Sequence, residues 1–470
     1  MNTLRDIYSS TLLLGACFFT LLELSLHTHY AQADSIIRAE IPMDLSSFGS
    51  QVKVHNDLLL IAAKEYNNSQ GMVQCVNLKT NETTSLSIQS PDGIGGKLGW
   101  YMDINDEYIV LSAPYETSGQ GSVYVGKRQN GSIPSSFQRI TSPDPATSDY
   151  FGRCVKIQGN RLLIGEPGDD LVANNGGVLH VYVLNSENEW AYEGRHAPNI
   201  QYANDFFPLE INSTPGRVCV GTRYRKQNGY TQSGGAWVYQ LGPEGLSAPQ
   251  ELLHSQPENY DWFGQNIAMD DQRIVIGACR DKREDTSGIE AGSVRIFEQG
   301  PNGVWFESDV LTNPDTEEND RFGASVALQG DRILIGAVGE DPEGVNAAGR
   351  VHFYEKTSQD WRPIERLMAK PLTELASTGT SCAFGPNGEF IAGAPGYTYS
   401  NEILREGIVF IWNSLIPCEG DFNGDNIVDG ADLAVILADW NGTGAADLNA
   451  NGIVDSADLG LLLSMWGFCE

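Results

Sequence analysis

The sequence predicts an all-β protein, a seven-bladed β-propeller, followed by a small α-helical domain made of two loop–helix repeats. Three observations lead there: a unit recurring seven times between Phe48 and Trp412, apolar runs within each unit that do not alternate, and a twice-repeated acidic loop from Asp421 onwards. Composition points the same way. With 51 Gly against 7 Met in 470 residues, and few long runs of Ala, Leu, Lys or Glu, turns and strands should outweigh helix.

Each unit has a Phe-Gly type start, a strand, a polar turn, a short apolar run ending in Gly-Ala-Pro or similar, a loop, and a Gly-x-Val-x-x-Tyr strand. Phe151-Gly152 leads through Arg161 to Gly165 and on to Gly177 and Tyr182, while Phe263-Gly264 and Phe322-Gly323 open matching copies that end at Phe297 and Tyr354. Weaker copies keep a 14-residue step from start to run end: Phe48 to Ala62, Leu98 to Ser112, Phe207 to Gly221 and Gly379 to Gly393. Starts at 48, 98, 151, 207, 263, 322 and 379 lie 50 to 59 residues apart, which suits one four-stranded unit each.

The runs Leu162 to Ile164, Ile274 to Ile276 and Ile333 to Ile335 are apolar at consecutive positions, so their strands are buried on both faces. Radially stacked blades supply that burial and, once closed into a circle, leave only short edges. A linear β-solenoid would need much shorter coils. Repeats two to six carry an additional outer strand, such as Trp305 to Leu311 or Trp361 to Leu367, whereas the seventh runs into Pro417 without one. The segment Ser35 to Ile41 is therefore expected to complete the last blade and close the ring.

The Phe-Gly starts and the endings Ala113-Pro114 and Gly393-Ala394-Pro395 resemble FG-GAP repeats, as in integrin α-subunit heads and many bacterial surface proteins, over roughly 365 residues. The resemblance implies a propeller that binds a protein or carbohydrate ligand through loops on one rim. The Asp-rich calcium loops of integrin blades are matched only poorly, which leaves calcium in the propeller open. Gly168-Asp169-Asp170 and Gly339-Glu340-Asp341 are acidic without regular alternation and read as turn residues.

From Asp421 two segments align at an offset of 26 residues. Asp421, Asn423, Asp425, Asp429 and Asp432 in the first, and Asp447, Asn449, Asn451, Asp455 and Asp458 in the second, put oxygen-bearing side chains at loop positions 1, 3, 5, 9 and 12. An EF-hand-like loop wraps Ca²⁺ with this spacing, the backbone carbonyls of Ile427 and Ile453 at position seven completing the shell. Oxygen ligands without His or Cys exclude zinc and copper, so two calcium ions are the expected cofactors. Each loop runs into a helix with apolar residues at steps of three and four: Leu433, Ile436, Leu437 and Trp440, then Leu459, Leu462, Leu463 and Trp466. Two such faces are expected to pack together, and Cys418 and Cys469, which bracket the module, are its candidate disulfide.

This duplicated tail looks like a type I dockerin, which implies docking to a cohesin-like protein. Two departures bear on that partner. Position six of the first loop is Asn426 rather than Gly, and the partner-reading pair is Gly430-Ala431 and Ser456-Ala457 rather than paired hydroxyls.

The N-terminus has Arg5, an apolar run from Leu12 to Leu22, and a small-residue exit at Ala31, Gln32 and Ala33. Together these read as a signal peptide, residues 1–33, cleaved before Asp34 to leave the propeller at 34–416 and the tail at 417–470. The mature chain is then secreted or at the cell surface, extracellular or periplasmic. An uncleaved signal anchor and a lipoprotein cut at Cys17, where Leu14-Gly15-Ala16-Cys17 is similar to a lipobox, stay open; Glu23 and the apolar residues past Cys17 favour cleavage. No other segment is long enough to span a bilayer. Cleavage leaves seven of eight Cys, so at least one thiol stays free or pairs between chains.

Asp plus Glu (61) outnumber Lys plus Arg (30) for a net charge of −31, which repels phosphate backbones and makes nucleic acid a poor partner. No His-Glu-x-x-His, Gly-x-Ser-x-Gly or phosphate loop occurs, so no catalytic residue is assigned. His180 and His352 sit at equivalent strand positions and read as packing residues; Cys154, Cys219, Cys279 and Cys382 read as small buried residues. Trp100, Tyr115, Tyr224 and Tyr397 are candidates for a sugar-binding rim. Two functions compete: an exported calcium-binding interaction or scaffold protein, and a secreted polysaccharide-degrading enzyme with two carboxylates across the propeller channel. Four carboxylates in the first calcium loop against three in the second imply that the first fills first. In calorimetry, Asp447→Ala should leave the tighter site intact; its loss would reverse the order.

Overall fold

A strand that is apolar at every position must be covered on both faces. In a computed structural model of the chain, the strands Leu58–Ala63, Tyr108–Ala113 and Arg273–Ala278 are buried throughout. The structure describes residues 30–88, 95–199, 201–282, 290–313, 317–358, 360–399, 403–413, 420, 422, 427–444, 446–449 and 451–468. Each fully buried strand is second from the centre of an antiparallel sheet, and seven such sheets form the propeller blades. The third is representative: Val155–Gln158, Arg161–Glu166, Val178–Leu184 and Trp190–His196 pair in sequence order from the channel outwards. Neighbouring inner strands touch all the way round, with Ser381–Phe384 of the seventh blade beside Phe48–His55 of the first. The circle is closed.

The seventh blade takes its outer strand from the N-terminus. Ser35–Ile37 pairs antiparallel with Ile408–Trp412, as the missing outer strand of the seventh repeat predicts. Polar contacts flank the join: the Asn413 backbone N–H donates to the Asp34 carboxylate at 2.7 Å, and Arg38 pairs with Glu406 at 3.2 Å. Tyr30–Gln32, inside the segment read as a leader, lies parallel to Trp361–Met368 on the edge of the sixth blade, a pairing the sequence does not anticipate. The remainder of that leader, 1–29, and Cys17 with it, lies outside the described residues.

The repeated Phe-Gly and Gly-x-Val signatures meet across every blade boundary. The N–H of the first residue of each start donates to the carbonyl of the residue preceding the clasp glycine of the blade before: Phe263 to Ser233 at 3.0 Å, Phe322 to Ala291 at 2.9 Å, and at the ring closure Phe48 to Glu406 at 3.3 Å. The glycine itself lies under the incoming carbonyl. A Cβ on Gly234 would stand 1.8 Å from the Phe263 carbonyl oxygen, and one on Gly407 would stand 2.1 Å from that of Phe48. Gly71, Gly121, Gly177, Gly292 and Gly349 repeat the contact at the other five boundaries. Their φ of about +80° is a second reason that no side chain fits. The Phe side chains then enter the core; Phe48, Phe151, Phe207, Phe263 and Phe322 have no exposed surface.

This clasp corrects the start of the seventh repeat. Thr378, not Gly379, bridges to Gly349 and donates to Ala348 at 2.9 Å. The inner hairpin of that blade is one residue longer, turning through Gly385 to Glu389, so the 14-residue step locates Gly379, one place beyond the start.

In the tail, helices run over Gly430–Ala438 and Ser456–Ser464, each opened by a capping box, Asp429 with Asp432 and Asp455 with Asp458. Ile436 and Leu462 are buried with Val428, Ala446 and Val454, and Leu433 and Leu459 pack partly against them. The expected apolar face divides here. Leu437, Trp440, Leu463 and Trp466 are exposed, at 57%, 39%, 53% and 48%. A core of five buried side chains is too small to cover two whole stripes. No helix among the described residues is long and apolar enough to cross a membrane.

Gly407→Ala combines a backbone clash with left-handed strain and should lower stability by about 3 kcal/mol or more. Gly216 has a similar φ of +83° but open space around it, so Gly216→Ala should cost only about 1–2 kcal/mol. Urea unfolding of both variants checks the difference, which vanishes if the clasp carries no load.

Candidate functional site

Asp421, Asn423, Asp425, Cys418 and Cys469 lie outside the described residues. In the first loop, Ile427–Val428 pairs with Gly467–Phe468, and the buried Asp432 accepts from the N–H groups of Phe422 at 2.7 Å and Asp429 at 2.9 Å. Asp458 repeats this in the second loop, accepting from Asn449 at 3.1 Å and Asp455 at 2.8 Å. The N–H groups of Asp455 and Asn449 hold its carboxyl below the usual aspartate range. Asp447 accepts from Asn451 at 3.1 Å and Gly452 at 2.7 Å, which wraps the chain around its side chain, and the Asn451 amide oxygen accepts from Ile453 at 2.9 Å. Every side-chain donor atom in this set is oxygen, the chemistry a hard divalent cation takes. The three carboxylates of the second loop do not form a group with oxygens all within 4.8 Å of one another.

The second site is the channel. Its lower part, about 330 Å³, is walled by the inner strands and includes Lys53, Tyr101 and Glu210. Tyr101 donates its hydroxyl to Glu210, and burial pushes the Glu210 carboxyl up to about 7 against the pull of Lys53. Asp103 faces Lys156 at 3.1 Å and accepts from the Ile157 N–H at 2.8 Å. Glu210 is the one carboxylate among the residues lining these two cavities, Asp103 being turned to Lys156 and the Ile157 N–H in the wall.

Above it, the mouth is a cavity of about 200 Å³ lined by Lys64, Trp100, Arg153 and Arg223 together with Tyr101 and Glu210. The residue before each blade start is in the left-handed region, with φ between +49° and +61° at Ser47, Lys97, Tyr150, Phe206, Trp262, Arg321 and Ser377. Non-glycine residues hold that conformation only where the surroundings force it, and here the clasp does so. Cations and rings interleave around this rim. Lys64 and Arg153 each stand 4.5 Å from the Trp100 ring centre, and Arg223 and Arg280 stand 4.7 and 4.5 Å from that of Trp262. Lys97 pairs with Glu65 at 2.7 Å and Arg280 with Glu290 at 2.5 Å. Lys64, Arg153 and Arg223 have no carboxylate partner among the described residues. Burial, then the Arg153 charge, draws the Lys64 amine below its usual range; burial does the same to Arg153.

The aromatic residues that the sequence offers for a rim separate in the structure. Trp100 lines the mouth, with Tyr115 against it at 5.0 Å between ring centres and Tyr224 under Arg223, whereas Tyr397 is buried and donates to the Pro371 carbonyl at 2.9 Å. The cationic cluster escaped sequence reading because Lys64 and Arg223 follow the ends of second strands while Arg153 follows a blade start. Only ring closure brings them together.

Buried acids recur on the same side of the blades. Asp149, Asp205, Asp261 and Asp320, each two residues before a blade start, accept a backbone N–H from three residues earlier at 2.5 to 2.9 Å. His180 and His352 are buried, meet Glu166 and Glu340 at 2.6 Å each, and lie edge-on to Phe151 and Phe322. His254, Asp261 and Asp281 bring ligand atoms within 4.8 Å, but Arg295 donates to Asp281 at 2.7 Å and already supplies the counter-charge. The thiols of Cys75, Cys154, Cys219, Cys279 and Cys382 are free, and burial raises all five, Cys279 to about 11, so they are poor nucleophiles.

The family comparison agrees with this architecture. FG-GAP repeats match residues 135–182, 248–297 and 305–354, and the chain carries these repeats in a seven-bladed propeller. No curated protein matches the sequence. Among solved structures, the β-propeller domain of the Trilobed protease from Pyrococcus furiosus, with an open velcro topology, is 11% identical at a TM-score of 0.44, over 77% of this chain and 94% of that one. A protein from Lactobacillus plantarum is 11% identical at 0.48, over 76% and 100%. The GH74 xyloglucanase from Xanthomonas campestris is 13% identical at 0.46, over 80% of this chain and 56% of the xyloglucanase.

The buried aspartates make stability depend on pH. Burial raises Asp149 and Asp261 to about 6 and Asp320 to about 7, with neighbouring carboxylates adding to each. An acid whose folded pKa exceeds its unfolded value stabilises the fold below about pH 4 and loses that contribution as pH rises through 6 to 7. Asp320→Asn, which keeps an acceptor for the Glu317 N–H, should raise the melting temperature by several degrees at pH 8 and little at pH 4.5. Equal shifts at both pH values would refute the assignment.

Proposed function

We propose that this is an exported, calcium-organised interaction and scaffold protein. The propeller binds a protein or carbohydrate ligand, and the dockerin-like tail tethers it to a cell-surface or extracellular assembly. The observation carrying the reading is the duplication in the tail. Two capped helices each follow an oxygen-only loop, and apolar side chains are exposed at equivalent places along and just beyond each, Val435, Leu437 and Trp440 matching Leu461, Leu463 and Trp466. Large exposed apolar side chains repeated in this way suit a docking surface for a partner protein of cohesin type.

Calcium is the ion the loops suit. Asp421, Asn423, Asp425, Asp429, Asp432 and the Ile427 carbonyl would hold one, and Asp447, Asn449, Asn451, Asp455, Asp458 and the Ile453 carbonyl a second. A tail with so small a core would gain order from both, since binding free energy adds directly to folding free energy. The competing enzyme reading needs two carboxylates facing across one cavity, whereas Glu210 alone lines the two described channel cavities and Asp103 beside them is taken up by Lys156 and the Ile157 N–H. Binding is therefore preferred over hydrolysis.

Chymotrypsin digestion of the full chain tests the tail. Calcium should protect residues 420–468 and excess chelator should expose them, while Asp432→Ala with Asp458→Ala should be cleaved as fast in calcium as the wild type is in chelator. Cleavage at one rate under all conditions would sink the calcium-organised tether.

A further inference from the structure

Three cations with no described carboxylate at ion-pair distance, at the mouth of a channel in a protein of net charge −31, need an explanation. Lys64 and Arg153 approach the same indole, 4.5 Å from its centre, and so repel one another across a ring that returns only a modest cation–π attraction. Arg223 donates to the Tyr224 hydroxyl at 2.8 Å, and its Nε has no partner among the described residues. Glu210 lines the same cavity but accepts from the Tyr101 hydroxyl, and no described carboxylate stands at ion-pair distance from the three cations as one does for Lys97, Arg280 and Arg295. Like charges held together in partial burial are costly, and such costs persist at sites that bind.

The remaining lining narrows the ligand. Ser50, Gln51, Gln265, Asn266 and Thr380 present hydroxyls and amides around the same cavity, which suits a polyhydroxylated molecule. The Trp100 ring already carries cations, so an aromatic or apolar side chain finds little free ring to stack on. At about 200 Å³ the mouth is smaller than a typical drug-sized pocket and admits about one sugar ring. We propose that the channel mouth binds an acidic sugar, with Arg153, Arg223 and Lys64 taking its carboxylate and Gln51, Asn266 and Thr380 its hydroxyls. The proposal rests on the propeller being the binding half of the protein. The same chemistry arrives as a free sugar acid or as a uronic residue of a glycan.

Calorimetry on the full chain in calcium, with galacturonate, glucuronate, trigalacturonate, galactose and acetate, tests this. Uronates should bind and weaken with added salt, and galactose and acetate should bind at least tenfold more weakly. Trigalacturonate binding more tightly than the monomer identifies a glycan source; equal affinity identifies the free acid. Arg153→Met and Arg223→Met should each weaken uronate on the order of tenfold or more, since each removes a charge-assisted hydrogen bond. Without ligand, both should melt at or above the wild-type temperature, because a like charge is gone. Absence of uronate binding, acetate binding as tightly as uronate, affinity unchanged in both variants, or a lower melt for both variants would each overturn the proposal. Lost uronate binding with calcium protection intact would remove the ligand and leave the tether; the converse would remove the tether and leave the ligand.

Discussion

Close approach of two backbones at a glycine organises this propeller. At each blade boundary one chain crosses so near its neighbour that a single Cβ would collide with a carbonyl oxygen, 1.8 Å away at Gly234 and 2.1 Å at Gly407. The crossing fixes the spacing of adjacent sheets and sends a Phe, Leu or Thr into the core between them. It also turns the preceding residue into a left-handed conformation, which sets the rim around the channel mouth. Blade packing, ring closure and the shape of the candidate binding site therefore share one steric cause.

Much of this is legible in the sequence because a repeated steric demand leaves a repeated residue. Phe-Gly and Gly-x-Val recur wherever the backbones cross, and the consecutive apolar residues of Leu162 to Ile164 announce strands without a solvent face. The lack of an outer strand after Trp412 points to the segment Ser35 to Ile41, of which Ser35–Ile37 forms the pairing. Where the repeat is degenerate the pattern misleads, since Thr378 has neither the size nor the ring of phenylalanine and the spacing points to the glycine beside it. Periodicity also overestimates burial in the tail. Steps of three and four give the same weight to the inward and outward edges of a stripe, so Ile436 and Leu437 look alike until the size of the core separates them.

The channel mouth is illegible for a different reason. Lys64, Arg153 and Arg223 come from three blades and no local pattern joins them, whereas the oxygen-bearing residues proposed as calcium ligands in each tail loop fall within twelve residues. The acids paired with His180 and His352 are hidden similarly, since Glu166 ends its strand and Glu340 comes four residues after Gly336, and only the fold brings each to its imidazole. The overall acidity of the chain gives no hint of a basic mouth. Net charge describes the field at long range; a ligand entering a cavity meets the few groups within its own diameter.

The closing strand has a mechanical consequence. Ile408–Trp412, the last strand before the chain leaves for the tail, is held between Phe390–Ala394 on one side and Ser35–Ile37 on the other. Tension transmitted along the chain from an anchored tail would load both ladders in shear, so their hydrogen bonds must yield together instead of unzipping one by one. A ring fastened at that seam can be pulled by its tail without first peeling open.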